Sequence, residues 1–293
     1  MMLSTPGQFQ INVPQHAQLP DVVKVLKEAG CGLVRLPFNS KEAPTVNHYG
    51  KDGLRGIINQ FNDAGIKVVI DFHPDGATDS IEQVWNIVSV WRRIASDFAF
   101  FSTDQLAFHI LNEPRAQDKP ERYYRLLQLA CEAIWDITPN RLCVFSNHLM
   151  GNPDGWKFPH PVGGPVAAAM SYYRPYDVVK KGSERAYPPS KEGLLKDFPY
   201  DDWVNQELHF KVFRDYCDKY KIQPWLSETG CHRDVPGRLQ YAKDIKGLGE
   251  KYDIPICWWA FRDEYGANPR YYDPKRGTVL ERDHYYWETI TTT

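Results

Sequence analysis

Two glutamates in the chain stand where they could act on a substrate. Leu111-Asn112-Glu113-Pro114 closes one apolar run, and Leu226-Ser227-Glu228-Thr229-Gly230 closes another. Each places a carboxylate just past a strand-like stretch, where a side chain reaches the mouth of a barrel. Two carboxylates converging on one pocket are what glycosidic-bond hydrolysis requires. One protonates the leaving oxygen, and the other stabilises or attacks the cationic anomeric carbon. A lone glutamate at a strand end also serves as a structural hydrogen-bond acceptor, so the pair alone leaves both readings open. Aromatic side chains make up 14% of the chain, with 9 Trp, 17 Tyr and 14 Phe. Many must be core, and the excess of Trp and Tyr also suits a cleft that stacks flat ligand faces.

The elements that must carry these residues follow from periodicity. Strands are expected at Phe9 to Val13, Leu33 to Phe38, Lys67 to Phe72, Leu106 to Leu111, Leu142 to Phe145, Ala167 to Tyr172, Pro224 to Leu226 and Ile256 to Ala260. Helical patterns separate most of them, with Gly30 and Gly65 as stops after the first two, and later helices at Pro120 to Thr138, Trp203 to Tyr220 and Leu239 to Tyr252. Alternating strands and helices indicate a parallel sheet. Eight strands in 293 residues favour a closed α/β barrel of the (β/α)₈ type, in one domain spanning 1–293. The segments Met150 to Pro165 and Arg174 to Asp201 then become loops at the C-terminal face, which carries the active site in barrel enzymes. Trp156, Tyr176, Tyr187 and Tyr200 are candidate substrate platforms there, or simply pack the loops onto the barrel.

Six short motifs, in order and each at a strand end, resemble glycoside hydrolase family 5, the cellulase family of retaining barrel enzymes, over about residues 8–265. Arg35-Leu36-Pro37 is similar to the family's Arg-x-Pro, and Asp71-Phe72-His73 to its strand-end histidine. Asn112-Glu113-Pro114 resembles the acid/base signature, and Tyr172-Tyr173-Arg174-Pro175 the tail of a His-Tyr-Tyr-x-Pro run. Glu228-Thr229-Gly230 resembles the nucleophile motif, and Trp258-Trp259 the platform tryptophan. The resemblance implies that Glu228 attacks the anomeric carbon and that Glu113 is the general acid and base. Arg35 then lies near Glu228 and keeps it ionised. Tyr173 donates to the same carboxylate, Asn112 holds the sugar 2-hydroxyl, and His73 contacts a sugar hydroxyl or orients a neighbour. Trp259 stacks on the sugar before the cleavage point. Adjacent strand residues face opposite ways, so Trp258 is expected outward and Trp259 inward. One departure stands out: Ser171 occupies the position of the family's histidine, which leaves His148 or His232 as substitutes or a pocket for a different sugar.

Charge and motif content exclude several classes. The formal net charge is −2 with mixed signs, which draws the chain neither to nucleic acid nor to an anionic membrane. No stretch approaches the length of a membrane span, and residues 1–10 do not read as a secretory leader, so one is absent or already removed. No Gly-x-Gly-x-x-Gly follows the first strand, and the histidines lack ligand spacing, so no cofactor and no metal are expected. The 6 cysteines are expected to be mostly buried free thiols. The expected partner is an oligo- or polysaccharide bound by a monomer. The favoured activity is retaining cleavage of β-1,4-linked glucan or mannan. An exo-acting β-glycosidase, a non-catalytic carbohydrate-binding barrel and a metal-dependent hydrolase are the alternatives.

Overall fold

The structure, a computed structural model, describes residues 3, 5, 7–10, 19–38, 53–73, 81–179, 187, 205–232, 234–259, 272–273, 278–279 and 284–291. Eight parallel strands close into a barrel. They are β1 (Gln8–Gln10), β2 (Leu33–Phe38), β3 (Lys67–Phe72), β4 (Leu106–His109), β5 (Cys143–Ser146), β6 (Val166–Tyr172), β7 (Gln223–Thr229) and β8 (Ile256–Trp258), and β8 pairs back onto β1. Around it run α1 (Leu19–Glu28), α2 (Leu54–Asp63), α3 (Ile81–Asp97), α4 (Pro120–Trp135), the short α5 (Tyr176–Val179), α6 (Gln206–Tyr220), α7 (Arg238–Lys251) and α8 (His284–Thr291). A small antiparallel pair, β9 (Tyr272–Asp273) with β10 (Thr278–Val279), follows β8. This is a (β/α)₈ barrel. The helices form where apolar residues recur at helical spacing: α2 buries Leu54, Ile57, Ile58 and Phe61. It stops before Gly65, whose φ of 82° is easy only for glycine.

Alternation along the strands divides the core in two. Val34, Leu36, Phe38, Val68, Ile70 and Phe72 face outward to the helices. Leu33, Val69, Ala107, Val144, Ala167, Ala169, Trp225 and Cys257 form a separate inner cluster. The small alanines leave room for Trp225. Leu3 plugs the N-terminal end, where Gln8 Nε2 donates to the Leu3 carbonyl and Trp225 Nε1 donates to Gln8 Oε1 at 2.6 Å. All six cysteines are buried free thiols.

Several strand limits differ from expectation. β1 begins at Gln8, and 11–13 lie outside the described residues. β5 starts one residue later than expected, with Leu142 in the inner cluster. β4 stops at His109 rather than Leu111, β7 continues past Leu226 to Thr229, and β8 ends at Trp258. α4 ends at Trp135 rather than Thr138, and α6 is described from Gln206, with 203–204 outside the described residues. The changes in β4 and β7 both aim a glutamate.

Candidate active site

A polar layer lies above the inner cluster, at the C-terminal end of the barrel. Arg35 on β2 is wholly buried, and its guanidinium serves three groups. Nη1 donates to Glu228 Oε2 at 2.9 Å, while Nη2 lies 2.8 Å from Asp71 Oδ2 and donates to Asn112 Oδ1 at 2.5 Å. Tyr173 donates its hydroxyl to the other Glu228 oxygen, Oε1, at 2.7 Å. Burial alone would lower the Arg35 pKa, but the Asp71 and Glu228 carboxylates outweigh it and hold the cation above its ordinary value. Burial alone would likewise raise Asp71. The Arg35 charge and the His109 contact win instead, and Asp71 stays well below the usual carboxylate range. Burial pushes the Tyr173 phenol far up, reinforced by Glu228 and then Glu113, so it remains a donor.

The polar contacts in this layer form a closed ring. Asn112 Oδ1 accepts from Arg35, so its amide nitrogen must be the group 3.0 Å from His73 Nε2, and that ring nitrogen accepts. His73 Nδ1 then carries the proton toward Asp71 Oδ2 at 3.3 Å. Burial opposes charge on His73, and Asp71 overcomes it enough to raise the pKa. The ring nevertheless offers no acceptor to a proton on Nε2, so the neutral imidazole is the form that fits. His73 is thereby hydrogen-bonded to its neighbour Asn112. On the other side, His109 Nδ1 lies 2.9 Å from Asp71 Oδ1, and His109 Nε2 is hydrogen-bonded with the Ser146 hydroxyl at 3.0 Å. Asp71, His109 and Ser146 had no assigned role in the sequence. A titratable side chain inside an apolar strand, as in Lys67–Phe72 or Leu106–His109, is the signal that marks them, since a buried charge must be paired.

Glu228 does not lie past the end of β7 but within it. Trp225 points inward and Leu226 outward, so strict alternation would send Glu228 outward into the helix layer. The register against β6 shifts between Met170 and Ser171, so that Leu226 pairs with Met170 and Glu228 with Ser171. Ser227 is the extra residue of this bulge and donates its hydroxyl to the Met170 carbonyl at 3.2 Å. One inserted residue thus turns Glu228 into the barrel. Glu113 is aimed by a different irregularity: β4 leaves its ladder after His109, and Glu113 adopts φ 38°, a left-handed conformation uncommon for a residue with a side chain. Its flanks are clamped. Asn112 N–H donates to the Phe72 carbonyl at 2.9 Å, Met150 N–H to the Pro114 carbonyl at 2.9 Å, and Ala116 N–H to the His148 carbonyl at 3.0 Å. A strained residue held this firmly is what a functional position shows.

A buried glutamate braced by arginine and tyrosine, with a second glutamate at the end of β4, is the arrangement the motifs led one to expect. The sequence model of the cellulase family, glycosyl hydrolase family 5, matches residues 5–264. The chain belongs to glycosyl hydrolase family 5. It is therefore a glycosyl hydrolase. Solved barrels superpose on it over almost their whole length. Thermotoga maritima Cel5A in complex with a mannotriose substrate does so with TM-score 0.75 and 21% identity, covering 98% of each chain. The cellulose synthase subunit Z of Clostridioides difficile gives 0.73 and 17%, covering 91% of this chain and 90% of that one. A hyperthermophilic endo-β-1,4-glucanase in complex with substrate gives 0.71 and 18%, covering 99% and 97%. At these identities the likeness speaks for the barrel alone. No curated protein sequence matches the chain.

Other residues of this family 5 hydrolase sort by which way they face. Trp258 lies in the outer core, while Trp259 is half-buried beside Tyr173, ring centroids 5.7 Å apart and planes at 81°. Tyr172 points outward, its hydroxyl 3.2 Å from His209 Nδ1. Two of the four candidate platforms pack the loops onto the barrel, the other reading of them. Trp156 is buried against Phe213 and Tyr216 of α6, and Tyr187 packs on Tyr241 and donates to Asp244 at 2.9 Å. Large rings bury more apolar area against these helices than an open cleft would offer. Tyr176 is exposed, and Tyr200 lies outside the described residues. Ser171, at the place of the family histidine, is buried and its hydroxyl finds no hydrogen-bond partner among the described residues. The loop after β5 closes over it: a Cβ on Gly151, φ 73°, would stand 3.0 Å from Ser171 N and 3.4 Å from its Oγ. His148 does not stand in for the family histidine, since its ring packs on Phe158 and meets the Tyr124 hydroxyl at 3.3 Å. His232 accepts from the Asp234 backbone N–H at 3.3 Å.

Proposed function

We propose that this glycosyl hydrolase cleaves β-1,4-linked glucan or mannan with net retention of configuration, through double displacement on Glu228. In the first step a Glu228 oxygen bonds to the anomeric carbon. The glycosidic C–O bond breaks, its electron pair stays on the leaving oxygen, and Glu113 supplies that oxygen's proton. In the second step Glu113 takes a proton from water, the water oxygen attacks the anomeric carbon, and Glu228 leaves as carboxylate. Asn112 has an amide hydrogen to spare for the sugar 2-hydroxyl, and Trp259 offers a face for stacking.

The observation that carries this reading is the bracing of Glu228, with Arg35 on one oxygen and Tyr173 on the other. That pair keeps a buried carboxylate ionised and oriented, as a nucleophile needs. The phenol of Tyr173 feels both Glu228 and Glu113, which favours two carboxylates sharing one pocket. A barrel that only bound carbohydrate would need neither. Thermotoga maritima Cel5A, of similar fold, takes mannotriose and cellobiose, which favours glucan or mannan here. The test is NMR of the first-formed sugar, recorded before mutarotation. A β-linked substrate is expected to release the β-anomer first, and an initial α-anomer overturns the double displacement.

A further inference from the structure

Glu228 loses its charge when it becomes an ester, and Arg35 does not. A guanidinium wholly buried beside a newly neutral group is costly to leave without a counter-charge. Here a second carboxylate is already in place. Asp71 is as buried as Arg35, lies 2.8 Å from Nη2, and is held from both sides by His109 at 2.9 Å and His73 at 3.3 Å. With both imidazoles neutral, the group of Arg35, Asp71 and Glu228 carries one net negative charge in the free enzyme. It carries none once Glu228 is esterified, and at no stage is it positive.

We propose that Asp71 is a positioning residue for the double displacement. It is a standing counter-ion that shares Arg35 with Glu228 in the free enzyme and keeps the cation balanced while Glu228 is esterified, with His109 fixing its carboxylate. The inference rests on Glu228 as nucleophile. Sharing has a second effect. An arginine divided between two anions stabilises ionised Glu228 less than an arginine of its own would, so Glu228 keeps more of its nucleophilicity. His109 suits this role because it is neutral. Burial lowers its proton affinity against the pull of Asp71, so it packs against the Asp71 carboxylate at 2.9 Å without adding a charge that would release Arg35 to Glu228. The titratable or charged groups facing this pair are Arg35 from β2, His73 after β3, His109 and Glu113 from β4 and its end, Tyr173 after β6, and Cys257 from β8. Burial drives Tyr173 and Cys257 far up, which leaves both uncharged at neutral pH.

Asp71→Asn removes the charge and keeps the shape. Glu228 is followed directly by ¹³C NMR titration of carboxylate-labelled enzyme, assigned against Glu228→Gln, so no turnover is needed. Losing the Asp71 charge and gaining the whole of Arg35 both favour ionised Glu228. Its titration is therefore expected about one pH unit lower, and the acid limb of kcat/KM moves with it. On an activated aryl glycoside, glycosylation slows by up to about tenfold, the ceiling that unit sets, and deglycosylation does not slow. An unmoved Glu228 titration overturns the proposal whatever the activity. If the titration moves but the wild type hydrolyses no glycoside, the functional reading fails while the sharing of Arg35 stands. Should Asp71→Asn not fold, Glu228→Gln decides, because it mimics the charge of the ester. Arg35 then still has Asp71, so the Tm at pH 7 stays at or above wild type, and a fall of several degrees overturns the counter-ion.

Discussion

At the scale of single residues, the site depends on which groups carry protons. Glu113→Ala is expected to lose far less activity on aryl glycosides with good leaving groups than on natural glycans, because such a leaving group departs without protonation. Azide should then speed breakdown of the accumulated glycosyl-enzyme, since an anion needs no general base. Equal losses on both substrate types, with no azide effect, would remove Glu113 from its role. His109 makes a separate prediction about stability. Burial holds its pKa below the ordinary value of 6.5. Above that value folded and unfolded chains are both neutral at this site. As pH falls below it, the unfolded chain binds a proton that the native state resists. Stability is lost at up to about 1.4 kcal/mol per pH unit until the native imidazole titrates. His109→Gln lacks this loss, so the gap in unfolding free energy between wild type and variant should narrow from pH 7 to pH 5. A gap that widens toward acid would mean the native imidazole is charged.

At the scale of elements, alternation and its interruption decide which side chains face the barrel interior and which face the helices. β8 obeys alternation: Trp258 belongs to the outer core and Trp259 stands beside Tyr173. Trp259→Ala is accordingly expected to weaken kcat/KM on oligosaccharides by about 1–3 kcal/mol, the scale of a large aromatic contact. Trp258→Ala should instead cost about 3–5 kcal/mol of stability and leave kcat/KM of the folded enzyme within a few-fold. The reverse pattern in paired kinetics and denaturation curves would invert the facing of β8. β7 breaks alternation at Ser227, and the break is reinforced just beyond the bulge. Thr229 Oγ1 donates to the Tyr172 carbonyl at 2.7 Å and meets the Tyr241 hydroxyl at 3.0 Å. The strand carrying Glu228 is thereby tied to the strand leading to Tyr173, which supports both ends of the Tyr173–Glu228 hydrogen bond.

At the scale of the molecule, the two ends of the barrel do different work. The C-terminal end holds the polar ring. The N-terminal end is closed by apolar packing, and near it, outside the inner cluster, lies a second buried cation, Arg141. It has no acidic partner among the described residues. Nη1 donates to the carbonyls of Ser102 at 3.0 Å and Leu106 at 2.6 Å, Nη2 to that of Phe101 at 2.7 Å, and the guanidinium lies over Phe108. Burial lowers its pKa to about 10, which leaves it charged at neutral pH. It satisfies carbonyls where α3 ends and β4 begins, before β5 enters the sheet. Arg141→Met would strand several of those acceptors at a cost of about 2–4 kcal/mol, or a Tm fall of about 5 °C or more. With the site at the other end, kcat/KM of the folded variant should stay unchanged. A calorimetric scan alongside steady-state kinetics checks both halves.

The amino-acid sequence determined by itself the alternation of strand and helix, because apolar periodicity is a local property that each segment carries without its neighbours. The bounds of β2 and β3 and the glycine stops of α1 and α2 were legible in that way, while the motifs carrying Glu113 and Glu228 were legible through their resemblance to the family. Only the tertiary structure decided which way those residues point and what they meet. Glu228 faces the interior because of one inserted residue whose effect exists only in the pairing of β7 with β6. Arg35 and Glu228, 193 residues apart, share a charge balance with Asp71 and His109 that no local pattern encodes. Trp156 and Tyr187 became core rather than platform because burial depends on helices far along the chain. Spacing along a strand reports the face of a side chain only while the ladder is regular, and this site is built where the ladders of β4 and β7 stop being so.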